Sequence, residues 1–227
     1  NAKRVEKMGE EKKRIFITGA LTLDTIMHTK LATKKEIFKK YHLDPNITTF
    51  LMIQHPITTI KDQGYSQLRE MLQALDILKE QTVVLYPNCD AGGKKFVTLI
   101  QRYTKKPYLH AFQNMPHEDY LGIMKSVDLM IGNSSSGIIE APSFKLPVIN
   151  IGSRQQGRTR SANILDVQPE KNKIIQTIDF ALHNKGFTYK VHTCKNQFGQ
   201  GNATQKIIKI LKEIPLDEKL IQKQITY

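Results

Sequence analysis

The stretch DLMIGNSSSGIIEAPSFKLPVINIGSRQQGRTR, residues 128–160, decides the fold. An apolar run from Asp128 to Ile131 enters a polar turn, Gly132-Asn133-Ser134-Ser135-Ser136-Gly137. A helical stretch over 138–144 and a second apolar run over 148–151 follow. Strand, turn, helix and strand in that order make one β–α–β unit. The turn offers hydroxyls and free backbone N–H groups at the positive end of a helix dipole, which suits a phosphate or diphosphate. Glu140 lies about one helical turn beyond the serines, where a carboxylate accepts hydrogen bonds from both hydroxyls of a ribose. The pairing reads as a nucleoside-diphosphate site. The same residues also suit a helix capped by Ser or Asn with an unrelated glutamate.

The alternation continues on both sides. Further apolar runs at 14–18, 49–53, 82–86 and 108–112 are the candidate strands. Helical patterns cover 23–31, 34–41, 65–79, 93–103, 117–126 and 170–182, with two more at 202–211 and 217–224. In the helix from Tyr65, residues Leu68, Met71, Leu72, Leu75 and Leu78 recur at three- and four-residue steps, one apolar stripe for a sheet. The expectation is an α/β protein, a Rossmann-like parallel sheet with helices on both faces. Ligands in open α/β sheets bind beyond the carboxyl ends of the strands. Five marked loops fall there: His55; Asn88 and Asp90; Asn114 and Met115; the serine turn; and Arg154.

Bulk properties narrow the classes. Of 227 residues, 40% are hydrophobic and 24% charged, ordinary for a globular chain. No run approaches the roughly 18 apolar residues of a membrane span, and the polar amino end predicts no secretory signal. Cys89 and Cys194 are far apart without ligand-like spacing, so two free thiols in a cytoplasmic protein are expected. A net charge of +13 invites a nucleic-acid partner. The lysines are scattered over presumptive polar helix faces, however, and no aromatic-interleaved basic motif accompanies them, so none is expected. There is no Cys/His cluster with metal spacing, no Gly-x-Ser-x-Gly elbow, and no Walker A or GxGxxG sequence. Neither a metal nor a redox cofactor is expected.

Four stretches carry a resemblance. They are Gly132-Asn-Ser-Ser-Ser-Gly-Ile-Ile-Glu140 continuing through Pro147-Val-Ile-Asn-Ile-Gly-Ser-Arg154-Gln-Gln-Gly-Arg158; Arg14-Ile-Phe-Ile-Thr-Gly-Ala-Leu-Thr-Leu-Asp24; Gln54-His55-Pro56-Ile-Thr-Thr59; and Tyr86-Pro87-Asn88-Cys-Asp90-Ala-Gly92. Together they resemble the hydrolysing UDP-N-acetylglucosamine 2-epimerases, the sialic-acid-pathway branch and relatives acting on UDP-N,N'-diacetylbacillosamine. The likeness runs from about Lys3 to Leu211. It implies one half of a glycosyltransferase-B-type two-domain fold. Residues 1–13 would be an interdomain helix or linker, 14–200 the UDP-binding domain, and 201–227 helices crossing to an amino-terminal domain absent from this chain. It implies a homo-oligomer, dimer or tetramer. The carboxylates that move protons at C2 would lie in the absent domain, so this chain alone would bind UDP weakly without turnover.

The resemblance also assigns roles. His55, restricted to extended geometry by Pro56, would donate to a diphosphate oxygen or help to expel UDP; by position alone it also fits a surface histidine at a strand end. Ser134 and Ser135 would contact the diphosphate, Gly137 would permit close backbone approach, and Glu140 would hold the ribose. Met115 would meet the uracil edge through its backbone, or serve as core. Asn88 would face the nucleotide-sugar, or simply form a turn after Pro87. The segment from Asp90 to Gly93 reads as a helix cap. Arg154 is the candidate for the sugar-phosphate, with Arg158 and Arg160 solvated or interdomain. Ile60, ahead of Lys61 and Asp62, stands where several relatives carry an acidic residue, so that loop has no assigned role. The competing classes are a glycosyltransferase that passes the sugar to an acceptor, and a non-enzymatic nucleotide-sugar-binding module.

Overall fold

The computed structural model describes residues 2–57 and 63–222. Thr59, Ile60, Lys61 and Asp62, singled out above, lie outside them, as do residues 223–224 of the last expected helix. Helices α1 (Ala2–Lys7) and α2 (Thr22–His28) open the chain, and α3 (Lys34–Lys40) precedes the first strand, β1 (Thr49–Ile53). There follow α4 (Gln63–Leu78), β2 (Gln81–Leu85), α5 (Gly93–Tyr103), β3 (Leu109–Phe112), α6 (His117–Ser126) and β4 (Leu129–Gly132). A single α turn, α7 (Ser136–Ile139), and a 3-10 turn (Ala141–Phe144) lead to β5 (Val148–Ile151) and β6 (Ile164–Val167). The helices α8 (Lys171–His183), α9 (Lys185–Thr193), α10 (Ala203–Glu213) and α11 (Glu218–Ile221) complete the order.

Residues 29–197 form one compact unit; residues 1–28 and 198–227 form another. The division falls at 28/29 and 197/198, whereas the sequence suggested 13/14 and 200/201. Within the smaller unit, both carboxylate oxygens of Asp24 accept from the amides of Ala203 and Thr204 at 2.9 and 2.7 Å, satisfying the start of α10.

The larger unit is a six-stranded sheet in the order β3-β2-β1-β4-β5-β6, and every pairing is parallel. β1 shows why the strands read as unbroken apolar runs. All five of its residues are buried, and they alternate between faces: Phe50 and Met52 join the core beneath α4, α5, α8 and α9, while Leu51 and Ile53 join the core beneath α3 and α6. The α4 stripe packs as its spacing predicts, with Leu68, Met71, Leu72 and Leu75 at most 1% exposed. Each such side chain contributes roughly 1.5–3 kcal/mol by leaving water. Thr33 and Glu36 close a capping box at the start of α3, with Thr33 N–H donating to Glu36 Oε2 at 2.8 Å.

Two elements went unread and one expected strand is absent. β6 is short and only partly buried, with Asp166 in its middle, so it lacks the apolar signal of the inner strands. α9 is announced only by its cap: Asn184 Oδ1 accepts from the Phe187 amide at 2.8 Å. The 14–18 run pairs with no described strand; Phe16 is 48% and Ile17 79% exposed, so β-propensity without a partner gave no strand.

The chain moves from β1 outward to β2 and β3, then returns to β4 on the other side of β1. The switch point therefore lies between the carboxyl ends of β1 and β4. Ladder pairing stops there at Ile53 opposite Gly132. Gly132 has φ +132°, and a Cβ on it would sit 2.0 Å from the Ile53 carbonyl oxygen. Gly132→Ala should therefore lower unfolding free energy by about 3 kcal/mol or more, the sum of left-handed strain and a backbone clash. Urea denaturation measures it, and a loss below about 1 kcal/mol, the average for an arbitrary substitution, would contradict the packing described.

Candidate functional site

Beyond Ile53 the chain leaves the sheet as Gln54-His55-Pro56. Asn133, wholly buried in the serine turn, grips the His55 backbone: the His55 N–H donates to Asn133 Oδ1 at 2.8 Å, and Asn133 Nδ2 donates to the His55 carbonyl at 2.9 Å. The imidazole is held separately. The Asn88 amide N–H, in the loop after β2, donates to His55 Nδ1 at 3.2 Å. A ring nitrogen that accepts must offer its lone pair, so the proton of the neutral ring sits on Nε2. Burial lowers the His55 pKa first, and the Arg154 charge adds to the shift; Asp90 and the Asn88 contact oppose them. His55 is thus a neutral imidazole with an Nε2–H to give.

Asn88 itself is exposed, and its Nδ2 donates to Asp90 Oδ2 at 2.8 Å. Within the segment 90–93 read as a helix cap, Gly92, at φ +92°, occupies the cap position of α5 without any side-chain cap, and the Asp90 carboxylate secures Asn88 and faces the charge of Arg154.

In the turn after β4, Ser134 Oγ accepts from the Ser136 amide and donates to Ser136 Oγ, both at 3.3 Å. Ser135 Oγ and the amides of Ser134 and Ser135 bond to no protein group among the described residues. These are the donors an anion would meet. The helix dipole assigned to this turn is weaker than the sequence suggested, because the expected 138–144 helix is one α turn followed by a 3-10 turn. A Cβ on Gly137 would lie 2.8 Å from Val148 Cγ1, so the glycine lets the turn pack on β5. Glu140 is half-buried at the end of α7. It lies near Tyr120, whose hydroxyl pKa is driven up chiefly by burial and further by the Glu140 charge, while Ser136 opposes the rise. Met115 is core, packed with residues of α3 and α6, and its amide donates to Asn114 Oδ1 at 2.8 Å.

The loop after β5 closes over the same turn. Arg154 Nη1 donates to the Asn133 carbonyl at 3.0 Å, and Gln155 Nε2, 2% exposed, donates to it at 2.7 Å. Gln155 also organises the other two arginines. Its Oε1 accepts from Arg158 at 2.9 Å and its carbonyl from Arg160 at 2.8 Å, while Arg160 pairs with Asp166. Arg158 and Arg160 therefore brace the loop, leaving Arg154 as the guanidinium at the switch point. Burial lowers the Arg154 pKa, Arg158 adding to the shift and Asp90 opposing it. His55, Asn88 and Arg154 are thus tied through Asn133 into one bonded cluster, with Ser134, Ser135, Gly137 and Glu140 in the adjoining turn. No hydrogen bond joins Met115 to it among the described residues. Asn133 and Gln155 were overlooked. Their only sequence signal was an amide residue placed directly after a strand-end glycine or beside a loop arginine.

The electrostatics give a signed prediction. The folded protein favours neutral His55, so its pKa lies below the unfolded value of about 6.5. Any stability linked to it is present above that value and lost as pH falls through the lower folded pKa. In a nitrogen-detected NMR titration, His55 should titrate below about 6.5. Arg154→Gln should raise the midpoint and Asp90→Asn should lower it; movement of either in the opposite direction would refute the charge arrangement.

Comparisons with known proteins give the family. A family model described as UDP-N-acetylglucosamine 2-epimerase matches residues 1–212. UDP-N,N'-diacetylbacillosamine 2-epimerase (hydrolyzing) of Legionella pneumophila is 34% identical over 224 residues, covering 99% of this chain and 58% of the relative. The GDP/UDP-N,N'-diacetylbacillosamine 2-epimerase (hydrolyzing) of Campylobacter jejuni is 36% identical over 219 residues, covering 95% and 56%. The chain therefore spans little more than half the length of these relatives. In fold, the crystal structure of UDP-GlcNAc 2-epimerase from Neisseria meningitidis bound to UDP-GlcNAc superposes with a TM-score of 0.76 at 15% identity, covering 94% of this chain and 59% of that one. With its Rossmann-like sheet and these matches, the chain belongs to the UDP-N-acetylglucosamine 2-epimerase family.

Proposed function

We propose that this chain is the UDP-binding half of a hydrolysing 2-epimerase acting on a UDP-N-acetylhexosamine, either UDP-N-acetylglucosamine or UDP-N,N'-diacetylbacillosamine. The observation that carries the reading is the convergence of His55, the serine turn and Arg154 at the β1/β4 switch point. In the reaction, a base removes the C2 proton and the C1–O bond to UDP breaks in an anti elimination, leaving a 2-acetamidoglucal. Water then adds at C1 while C2 is reprotonated on the opposite face, which yields the free 2-epimer and UDP. The β-phosphate gains charge as the C1–O bond breaks. Donors aimed at it from Ser134, Ser135, Arg154 and His55 stabilise the transition state more than the ground state. A phosphate leaving group, with a second pKa of about 6, needs no full proton transfer to depart. A neutral Nε2–H, a hydrogen-bond donor but a poor acid, fits that demand.

Glu140 takes the ribose hydroxyls in this reading, Asn88 faces the sugar, and the backbone at Met115 meets the uracil edge. Residues 14–200 bind UDP, while 1–13 and 201–227 dock a further domain that supplies the C2 carboxylates, in a cytoplasmic homo-oligomer. Supporting the docking role, ten of the fourteen exposed large hydrophobic residues among those described belong to the smaller compact unit, 1–28 and 198–227. The same unit carries a groove of about 630 Å3 lined by Phe16, Ile210, Ile214 and Leu220. Two free cysteines, Cys89 and Cys194, suit a reducing compartment. No helix among the described residues is long and apolar enough to cross a membrane.

The test is direct. Incubated with each UDP-sugar in deuterated water, the full-length protein should release UDP and a free 2-epimer carrying deuterium at C2, read by NMR. Sugar transfer to an acceptor would instead identify a glycosyltransferase, and binding without UDP release a sensing module. Separately, Ser134→Ala should weaken UDP binding by 10- to 100-fold on the order of 1.5–3 kcal/mol, the worth of a charge-assisted hydrogen bond. Glu140→Ala should weaken UDP but not a ribose-free diphosphate. Calorimetry showing neither loss would remove the turn from the site.

A further inference from the structure

We propose that Asn133 is the positioning residue of this site, coupling the His55 donor to the Arg154 loop; the inference rests on the UDP-sugar reading above. Parallel pairing between β1 and β4 ends at Ile53 opposite Gly132. One residue further on, the Asn133 carboxamide replaces the missing ladder rung. Its Oδ1 and Nδ2 meet both the N–H and the carbonyl of His55, at 2.8 and 2.9 Å. Its own N–H donates to the Ile53 carbonyl at 3.1 Å. Its own carbonyl accepts from Arg154 at 3.0 Å and from Gln155 at 2.7 Å. Every polar group of a wholly buried residue is thus engaged with the end of β1, the loop that follows it or the loop after β5, and none is left for a ligand. Asn133 therefore acts through its neighbours.

The chemistry demands an asparagine. Aspartate at this position keeps the shape but sets a carboxylate oxygen against the His55 carbonyl, where an N–H now donates. Alanine and serine cannot span the gap, and glutamine carries one methylene too many. The His55 ring reaches the Asn88 amide only if its backbone is fixed first, so the Nε2–H tautomer depends on the Asn133 clamp. Loss of the clamp moves a donor that must meet a departing phosphate oxygen within a fraction of an ångström.

The experiment uses Asn133→Ala and, should that variant fold poorly, the isosteric Asn133→Asp, in the full-length protein. Either should lower kcat/KM on the order of 100-fold, the penalty of a misplacement near 1 Å, with the loss mostly in kcat. In a His55→Ala background the same substitution should add little, because the residue through which it acts is gone. An equal loss in both backgrounds, as a general folding defect would produce, overturns the proposal. Nitrogen NMR of labelled histidine gives a readout independent of turnover. Wild type should show a single Nε2–H tautomer for His55, and the Asn133 variants a mixture. If the wild-type protein releases no UDP from either substrate, the functional reading fails; the positioning role is then decided by the tautomer alone, and an unchanged Nε2–H signal in both variants refutes it.

Discussion

At the carboxyl end of β4 the backbone turns through Gly132, at φ +132°, so that any side chain there would strike the Ile53 carbonyl of β1. That turn puts the last carbonyl of β1 against the segment after β4, and the rest of the site follows from it. It brings the Asn133 carboxamide to both polar groups of His55, two residues beyond the end of β1. Without that contact the histidine backbone would have only the following proline to orient it. A glycine followed by an asparagine therefore converts the end of a sheet into a rigid junction. Backbone groups there are satisfied by a side chain, so the chain can leave the sheet without orphaned donors. Binding groups placed on such a junction inherit the precision of the sheet.

Much of the fold was legible because the physics that builds it is local. β1 and β5 match the expected residues, and β2, β3 and β4 differ by a single residue at one end or both, since doubly covered strands must be apolar throughout. The helices of the larger unit other than α9 were read from their apolar patterning, most plainly the three- and four-residue repeat of α4. What escaped was set by partners distant in sequence. β6 is a strand because β5 offers it an edge, with Ile149 opposite Leu165, although its own residues are only half-buried. The run at 14–18 had the right residues and no such edge. Propensity describes what a segment tolerates; pairing decides what it becomes.

The site shows the same division. His55, Asn88, the serines and Arg154 could be named from the sequence because strand-end loops of an open sheet converge on one edge. Their assignment to uridine came from resemblance and remains a proposal. The residues that hold them were illegible. Asn133 and Gln155 act through hydrogen bonds to backbone atoms 78 and 22 positions away, which no spacing rule anticipates. The cap was legible only as the segment 90–93. A carboxylate just ahead of a helix is the usual cap, yet here Gly92, two residues on, adopts the left-handed conformation and takes the cap position. The carboxylate was freed to face the charged cluster.

Its arrangement also explains why a neutral histidine belongs beside an arginine. A protonated imidazole next to a half-buried Arg154 would place two positive charges in a poorly solvated corner, and both pKa values are lowered by burial. Keeping His55 neutral removes that repulsion and leaves a directional donor. Among the described residues the site still holds one half-buried guanidinium and two amides without protein acceptors, at Ser134 and Ser135. The Gly132–Asn133 junction holds these groups in place. On the proposed reading a diphosphate would meet donors that need little rearrangement, and charge growing on it as its bond to the sugar breaks would be stabilised by groups already oriented when the chain folded.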